Sequence, residues 1–309
     1  MTRSKWWAAL AVAAVSWVSA LAQIPPNAPE FRYGVSYTFE QLKATRRVND
    51  KHDRGQITLF ANVYRPVKKD VHKVVLFSHE STGGWVRSPK ETYGAPPQAF
   101  IEFFIDHGYT IVAPMRRGVG LSTGTYEEEC LMSAGQCTAQ ESSDMAEPGL
   151  LEAVRDTDAV IDQIVLNKLL PEKSKILLAG VSRGGFLSLV MAGRRPELVT
   201  GVLNFVGGWL SIADVYSDAE NAKRMRFQSD RLVSAGKVVR VPTVWIYAVR
   251  DPFYSETVTR QFFRWFSEAG GRGDYVLVTG HSLRSGHQVA NQLNLWSARA
   301  EELLDEVSK

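Results

Sequence analysis

The chain has 309 residues, 45% of them apolar and 22% charged, with a formal net charge of +3. That is enough for one large hydrophobic core and is the make-up of a globular protein, not of a disordered or fibrous one. So slight a positive balance, with no Lys/Arg run and no basic–aromatic stripe, excludes a nucleic-acid surface.

The chain opens with Arg3 and Lys5, then an apolar run over 6–18, then Ala20-Leu21-Ala22. A basic start, an apolar centre and an A-x-A site predict a signal peptide over 1–22, cut before Gln23. The run is too short to span a bilayer, and no later stretch is long and apolar enough to do so. Export to the periplasm or medium of a bacterium is expected, with no membrane contact after cleavage. Residues 23–309 then form one domain, led by a proline-rich extended stretch over 23–30.

β-Branched and aromatic runs predict strands over 35–39, 57–64 and 73–77. An amphipathic helix over 97–107 stops at Gly108, and a strand follows over 109–113. A helix over 143–167 carries its apolar period through Leu150, Val154, Ile161 and Ile164. Strand 175–179 leads into helix 185–192; strands 199–206 and 241–248 come next. Helix 256–269 ends at Gly270-Gly271, strand 275–278 is the last, and helix 291–307 closes the chain. Such alternation builds a mostly parallel, twisted α/β sheet with helices on both faces. Sites on such sheets lie at the carboxyl ends of the strands.

The segment 210–238 breaks the alternation. Its Lys223, Arg224, Arg226 and Arg231 alternate with Asp214, Asp218, Glu220 and Asp230. It reads either as a short helical cap over the site or as a surface excursion. Cys130 and Cys137 sit close together in a polar loop. In an exported protein such a pair reads as a disulfide that stiffens the loop. No third ligand has metal-binding spacing nearby, so no metal and no organic cofactor are expected.

The chemistry is carried by Gly180-Val181-Ser182-Arg183-Gly184. A strand precedes it and a helix follows, the setting in which G-x-S-x-G forms a nucleophile elbow. A serine needs a histidine to take its proton and a carboxylate to orient that histidine, in the chain order Ser, acid, His. The acid is expected at a later strand end, where Asp251 precedes Pro252; Asp214, Asp218, Asp230 and Asp274 are weaker candidates. Only His281 and His287 follow Ser182. His287, just before the last helix, is preferred as base, and His281 is the alternative. Oxyanion donors are expected from the backbone N–H of Arg183 and from the loop 78–84, with Ser81 N–H as the donor there. The stretch 115–120 lacks the Lys-Ser/Thr of a phosphate loop and the full G-x-G-x-x-G spacing, so no nucleotide site is expected.

Six stretches carry a family resemblance: S-H-E-S at 78–81, P-M-R-R-G-V-G at 114–120, G-V-S-R-G-G at 180–185, N-F-V-G-G at 204–208, W-I-Y-A-V-R-D-P-F-Y at 245–254 and G-H at 286–287. In these the chain resembles serine hydrolases of the α/β-hydrolase superfamily, near the dienelactone-hydrolase-like and prolyl-oligopeptidase-like branch. The resemblance implies an α/β-hydrolase fold, with Ser182 as nucleophile, Asp251 as acid and His287 as base. It departs at two points. Glu80 stands where many relatives have glycine, and Ser182 where dienelactone hydrolases proper have cysteine, so that particular activity is not implied.

The expected function is hydrolysis of small carboxylic esters through an acyl-enzyme. Two rivals remain open: a peptidase or amidase on the same triad, and a non-catalytic binding protein on the same fold. Substrate identity and oligomeric state are not legible in these residues.

Overall fold

In the computed structural model, residues 36–68, 70–82, 94–128, 130, 137–171 and 174–309 are described. The expected leader 1–22, the proline-rich stretch 23–30, Val35 and the Gly83-Gly84 pair lie outside the described residues. No helix among the described residues is long and apolar enough to cross a membrane.

Among the described residues eight strands form one sheet: β1 (Tyr37–Asn49), β2 (Arg54–Pro66), β3 (Lys73–Ser78), β4 (Tyr109–Met115), β5 (Ile176–Val181), β6 (Val199–Phe205), β7 (Thr243–Ala248) and β8 (Asp274–Val278). Their spatial order is β1-β2-β4-β3-β5-β6-β7-β8. Only β2 runs against the rest, pairing antiparallel with both β1 and β4. The central strands are short apolar runs; every residue of β4, β5 and β7 is buried. A strand covered on both faces needs no alternation.

Among the described residues seven helices cover the sheet: α1 (Gln98–Asp106), α2 (Ala139–Asp144), α3 (Ala146–Leu166), α4 (Arg183–Arg194), α5 (Asp218–Gly236), α6 (Glu256–Glu268) and α7 (Ser297–Glu306). The chain moves one way along the sheet from β3 to β4 and the other way from β4 through β8. Right-handed crossovers therefore put α1 on one face and α3 to α6 on the other. The α1 face is filled by aromatic rings. Phe100 lies 4.7 Å from Phe77, and Trp296 lies 5.2 Å from Phe205 and 5.1 Å from Phe103.

The main departures from expectation have local causes. The strand expected over 35–39 runs on as β1 to Asn49, forming a long hairpin with β2. Its second half, rich in Lys, Arg and Gln, is an exposed edge strand with little apolar signal. The helix expected over 143–167 is two helices. Thr138 and Glu141 form a capping box that starts α2 early, and Met145 separates α2 from α3. The last helix begins at Ser297, after two 3₁₀ turns over Gly286–Asn291 and Leu293–Leu295. Cys130 and Cys137 are bonded to each other.

The 210–238 segment supplies α5, the crossover from β6 to β7, packed beside α4 and α6. Its polar residues include two that are fully buried, Arg224 and Gln228. Gln228 accepts from the backbone N–H of Trp209 at 2.8 Å and donates to the carbonyl of Leu210 at 3.0 Å. Arg224 sits over the ring of Tyr216 at 3.8 Å. The helix thus fixes the loop 209–211 that leads into it. It packs so closely that a Cβ on Gly236 would lie 2.2 Å from the carbonyl oxygen of Phe266. Gly236→Ala should therefore lower stability by about 1–3 kcal/mol, read from the midpoint of chemical denaturation; an unchanged midpoint would show that this interface yields freely.

Candidate active site

Ser182 sits at the end of β5 with φ 54° and ψ −121°, a conformation that favours glycine. Its backbone N–H donates to the Phe205 carbonyl at 2.9 Å, and its carbonyl accepts from Gly208 at 3.2 Å. The turn is too tight for side chains beside it. A Cβ on Gly180 would lie 2.3 Å from the Gly184 backbone, and one on Gly184 only 1.9 Å from the Ser78 carbonyl oxygen. The glycines of G-V-S-R-G are thus required by contact between strand and helix backbones.

The next two strand ends bend in a related way. Val206, after β6, has φ 45°, and Arg250, just before Asp251, has φ 63°. Past that bend, Asp251 holds its side chain almost wholly out of solvent. One oxygen accepts from the N–H groups of Phe253 at 2.8 Å and Tyr254 at 3.3 Å. The other lies 2.8 Å from His287 Nδ1. Nδ1 must donate in that contact, so a neutral His287 keeps Nε2 as its basic atom. The histidine loop is pinned to the same strand end, because Gly286 donates to the Arg250 carbonyl at 3.1 Å. A Cβ on Gly286 would meet the Val249 carbonyl oxygen at 2.3 Å.

His281 is engaged elsewhere. Arg250 Nη2 donates to its Nδ1 at 3.1 Å, and its Nε2 lies 3.1 Å from the Val249 carbonyl. Since Arg250 has only protons to give, His281 carries its own on Nε2 and donates it to Val249. Of the two histidines, the structure brings His287 to Asp251.

Ser182, Arg183, Ser81 and His287 line one cavity of about 330 Å³, together with Thr82, Trp209 and Tyr254. A larger cavity of about 520 Å³ adjoins it, lined by Phe77, Pro97, Gln288 and others, and Ser182 is absent from its lining. Glu80, Ser81, Thr82, Phe253 and His287 line both, so the two are lobes of one cleft. The hydroxyl of Thr82 is buried in this cleft with no hydrogen-bond partner among the described residues.

The charges beneath the cleft were not assigned any role from sequence. Arg116 is fully buried and forms an ion pair with buried Glu128. It also donates to the carbonyls of His79 at 3.0 Å and Glu80 at 3.3 Å. His79 donates from Nδ1 to the Glu80 carbonyl at 2.7 Å and accepts at Nε2 from Arg116 N–H at 3.4 Å. Burial holds His79 neutral, well below the usual imidazole range, and the Arg116 charge adds to that. The Arg183 side chain runs inward to the carbonyls of Trp209 at 3.0 Å and Glu128 at 2.9 Å. Two guanidiniums therefore fix the loops that bear Ser81 and Trp209. The only hint in the sequence was the repeated arginine of P-M-R-R-G.

Among the described residues no group of His, Cys, Asp and Glu side chains is arranged to hold a metal ion. No family model matches the chain, and no curated protein does. Solved structures do match. An esterase of Pyrococcus furiosus is 13% identical, with 90% of this chain and 97% of that one aligned at a TM-score of 0.56. An acylaminoacyl peptidase of Pyrococcus horikoshii is 15% identical at a TM-score of 0.58, over 90% of this chain and 43% of that one. An acylaminoacyl peptidase bound to Z-Gly-Gly-Phe-chloromethyl ketone is 17% identical at 0.58, over 88% and 42%. The chain spans less than half the length of the peptidases and nearly all of the esterase.

The chain has the α/β-hydrolase fold. Ser182 stands at the end of β5, Asp251 follows β7 and His287 follows β8. The loop after β3 is held in this α/β-hydrolase fold by the Arg116–Glu128 pair, and removing one partner of a buried pair strands the other charge. Glu128→Gln should cost about 3–5 kcal/mol in denaturant unfolding; a loss below about 1 kcal/mol would mean that Arg116 is held by the His79 and Glu80 carbonyls alone.

Proposed function

We propose that the chain is a serine hydrolase that cleaves carboxylic esters of modest size. The observation that carries this reading is the strained Ser182 in one cavity with a histidine whose Nδ1 is bonded to a buried carboxylate. Strain at a non-glycine residue and a buried Asp–His contact both cost free energy, and together they fit a catalytic constellation.

In this reading Ser182 Oγ attacks the ester carbonyl carbon as His287 Nε2 takes the hydroxyl proton. Asp251 stays ionised, holds the Nδ1 proton and stabilises the imidazolium. The carbonyl oxygen becomes an oxyanion facing the backbone N–H groups of Arg183 and Ser81. The C–O bond to the alcohol then breaks, and the alcohol oxygen leaves with the proton held on Nε2. Water, deprotonated by the same nitrogen, attacks the acyl-enzyme. Collapse of that second intermediate releases the acid and returns Ser182 to its starting state. The reaction needs neither redox chemistry nor an organic cofactor.

The leader over 1–22 and the Cys130–Cys137 bond support an exported protein, periplasmic or secreted by a bacterium. The small-molecule cleft, at about 330 and 520 Å³, fits an ester of modest size and is too small to seat a folded protein.

Ser182→Ala should lower p-nitrophenyl butyrate turnover by about 10⁴-fold or more and abolish labelling by a fluorophosphonate. A labelled Ser182→Ala protein would put the nucleophile elsewhere. His287→Ala should fall as far, while His281→Ala should stay within about tenfold of the parent, since His281 is bound to Arg250 and Val249. The reverse order would make His281 the base.

A further inference from the structure

Among the described residues the lining of the cleft has five titratable side chains, His79, Glu80, Arg183, Tyr254 and His287, of which Glu80 alone is acidic at neutral pH. His79 uses both ring nitrogens on backbone groups, and His287 is bonded to Asp251. Arg183 turns its guanidinium away from the opening, onto two carbonyls and 5.2 Å from the Trp209 ring. Arg116, which donates to the Glu80 carbonyl, is paired with Glu128. Glu80 has no lysine or arginine within ion-pair distance among the described residues. It lines both lobes, where they meet at His287. Although Glu80 presents surface to solvent, the protein around it raises its carboxyl above the usual range, and the nearby His287 partly offsets that rise. A carboxylate so placed gains most from a cation brought in by a ligand.

An aromatic ring stands at the same junction. Phe253 is 44% exposed, unusual for so large an apolar side chain beside a core, and lines both lobes. Its ring packs edge to face on His287 at 4.6 Å. A carboxylate and an exposed aromatic ring sharing one opening match a quaternary or primary ammonium. The lobes also differ in content. The smaller contains Ser182, Arg183 and Trp209, so it receives the acyl group. The larger lacks Ser182 and adjoins the smaller at His287, which both share, so it is the lobe left for the alcohol that His287 protonates.

We propose that Glu80, with Phe253 beside it, selects esters whose leaving alcohol carries a cationic group. This rests on the ester-hydrolase reading above, and it assigns to Glu80 a binding and specificity role with no part in bond breaking. The cation sits in the larger lobe between carboxylate and ring, and places the ester carbonyl at Ser182.

The test compares choline butyrate with 3,3-dimethylbutyl butyrate, which has the same shape with carbon in place of the charged nitrogen. At low salt the parent protein should favour the choline ester by about tenfold or more in kcat/KM. Glu80→Gln should bring that ratio close to one, and Phe253→Leu should lower it by about two- to fivefold. Binding of choline and of 3,3-dimethylbutanol, followed by calorimetry on the parent protein, reads the same preference without turnover. Equal affinity for the two alcohols, or an equal rate on the two esters, overturns the proposal without need of any variant. So does a ratio that Glu80→Gln leaves unchanged. Fluorophosphonate labelling reports the hydrolase reading separately: a labelled protein with no choline preference loses only the cation site, and an unlabelled one that binds choline through Glu80 loses only the hydrolase.

Discussion

The site depends on one steric fact: the backbone of α4 enters against the backbone of β3 with no room for a side chain between them. A Cβ on Gly184 would stand 1.9 Å from the Ser78 oxygen, and one on Gly185 2.3 Å from the Asn204 side chain. This closeness lets the chain reverse at Ser182 within a single residue and raises the serine above the sheet edge. It also brings the loop after β3 next to the amide of Arg183, because β3 and β5 are neighbours in the sheet. The expected pair of oxyanion donors thus comes from the same contact that creates the elbow. Positive φ at Ser182, Val206 and Arg250 costs about 1–3 kcal/mol each. The adjoining strands bear that cost. β5 and β7 are buried along their whole length, and β6 at all but one of its residues.

Burial of charge is the second constraint, and it serves the first. Residues 79–82, after β3, have no regular structure to satisfy their carbonyls, and His79 among them is buried. Arg116 supplies donors to two of them, and Glu128 neutralises the guanidinium from the loop that also carries Cys130. Arg183, next to Ser182, does the same for Trp209 and Glu128 with its side chain while its backbone starts α4. Glu128 is therefore tied to the floor of the cleft, and Cys130, two residues on, is bonded to Cys137. Arginine suits this task because its planar fork serves several carbonyls at once and it stays charged when buried.

Much of this frame was legible in the sequence. The order of strands and helices followed from apolar runs and their breaks, and Ser182, Asp251 and His287 followed from a motif and from chain order. What brings His287 and not His281 to Asp251 is not composition but the local hydrogen bonds of Arg250, whose side chain takes His281 while its backbone anchors Gly286. A single sequence does not show which of two nearby histidines an arginine will occupy. The polar half of β1 was missed because an edge strand is chosen by pairing with β2, not by its own hydrophobicity. The segment 210–238 was read by its charges, yet its fate was set by Leu232, Gln228 and Gly236, which fit it into the helix layer. The partnerships of Arg116 and Arg183 were invisible for a related reason: an arginine just past a strand or at a helix start shows no partner until the elements around it are placed.

The division of labour in the cleft follows from these anchors. Each group that faces the reacting bond in the proposed mechanism is held by a neighbour that does not: Asp251 by the amides of Phe253 and Tyr254, His287 by Asp251 and the Gly286 turn, and the loop of Ser81 by Arg116. Glu80 differs. Its backbone belongs to that anchored set, but its carboxylate has no ion-pair partner among the described residues and sits where both lobes open. A structural carboxylate in this protein is met by arginine, as Glu128, Glu152 and Asp156 are. In the proposal above the counter-ion of Glu80 comes from solution, and the exposed ring of Phe253 favours one fixed to a substrate.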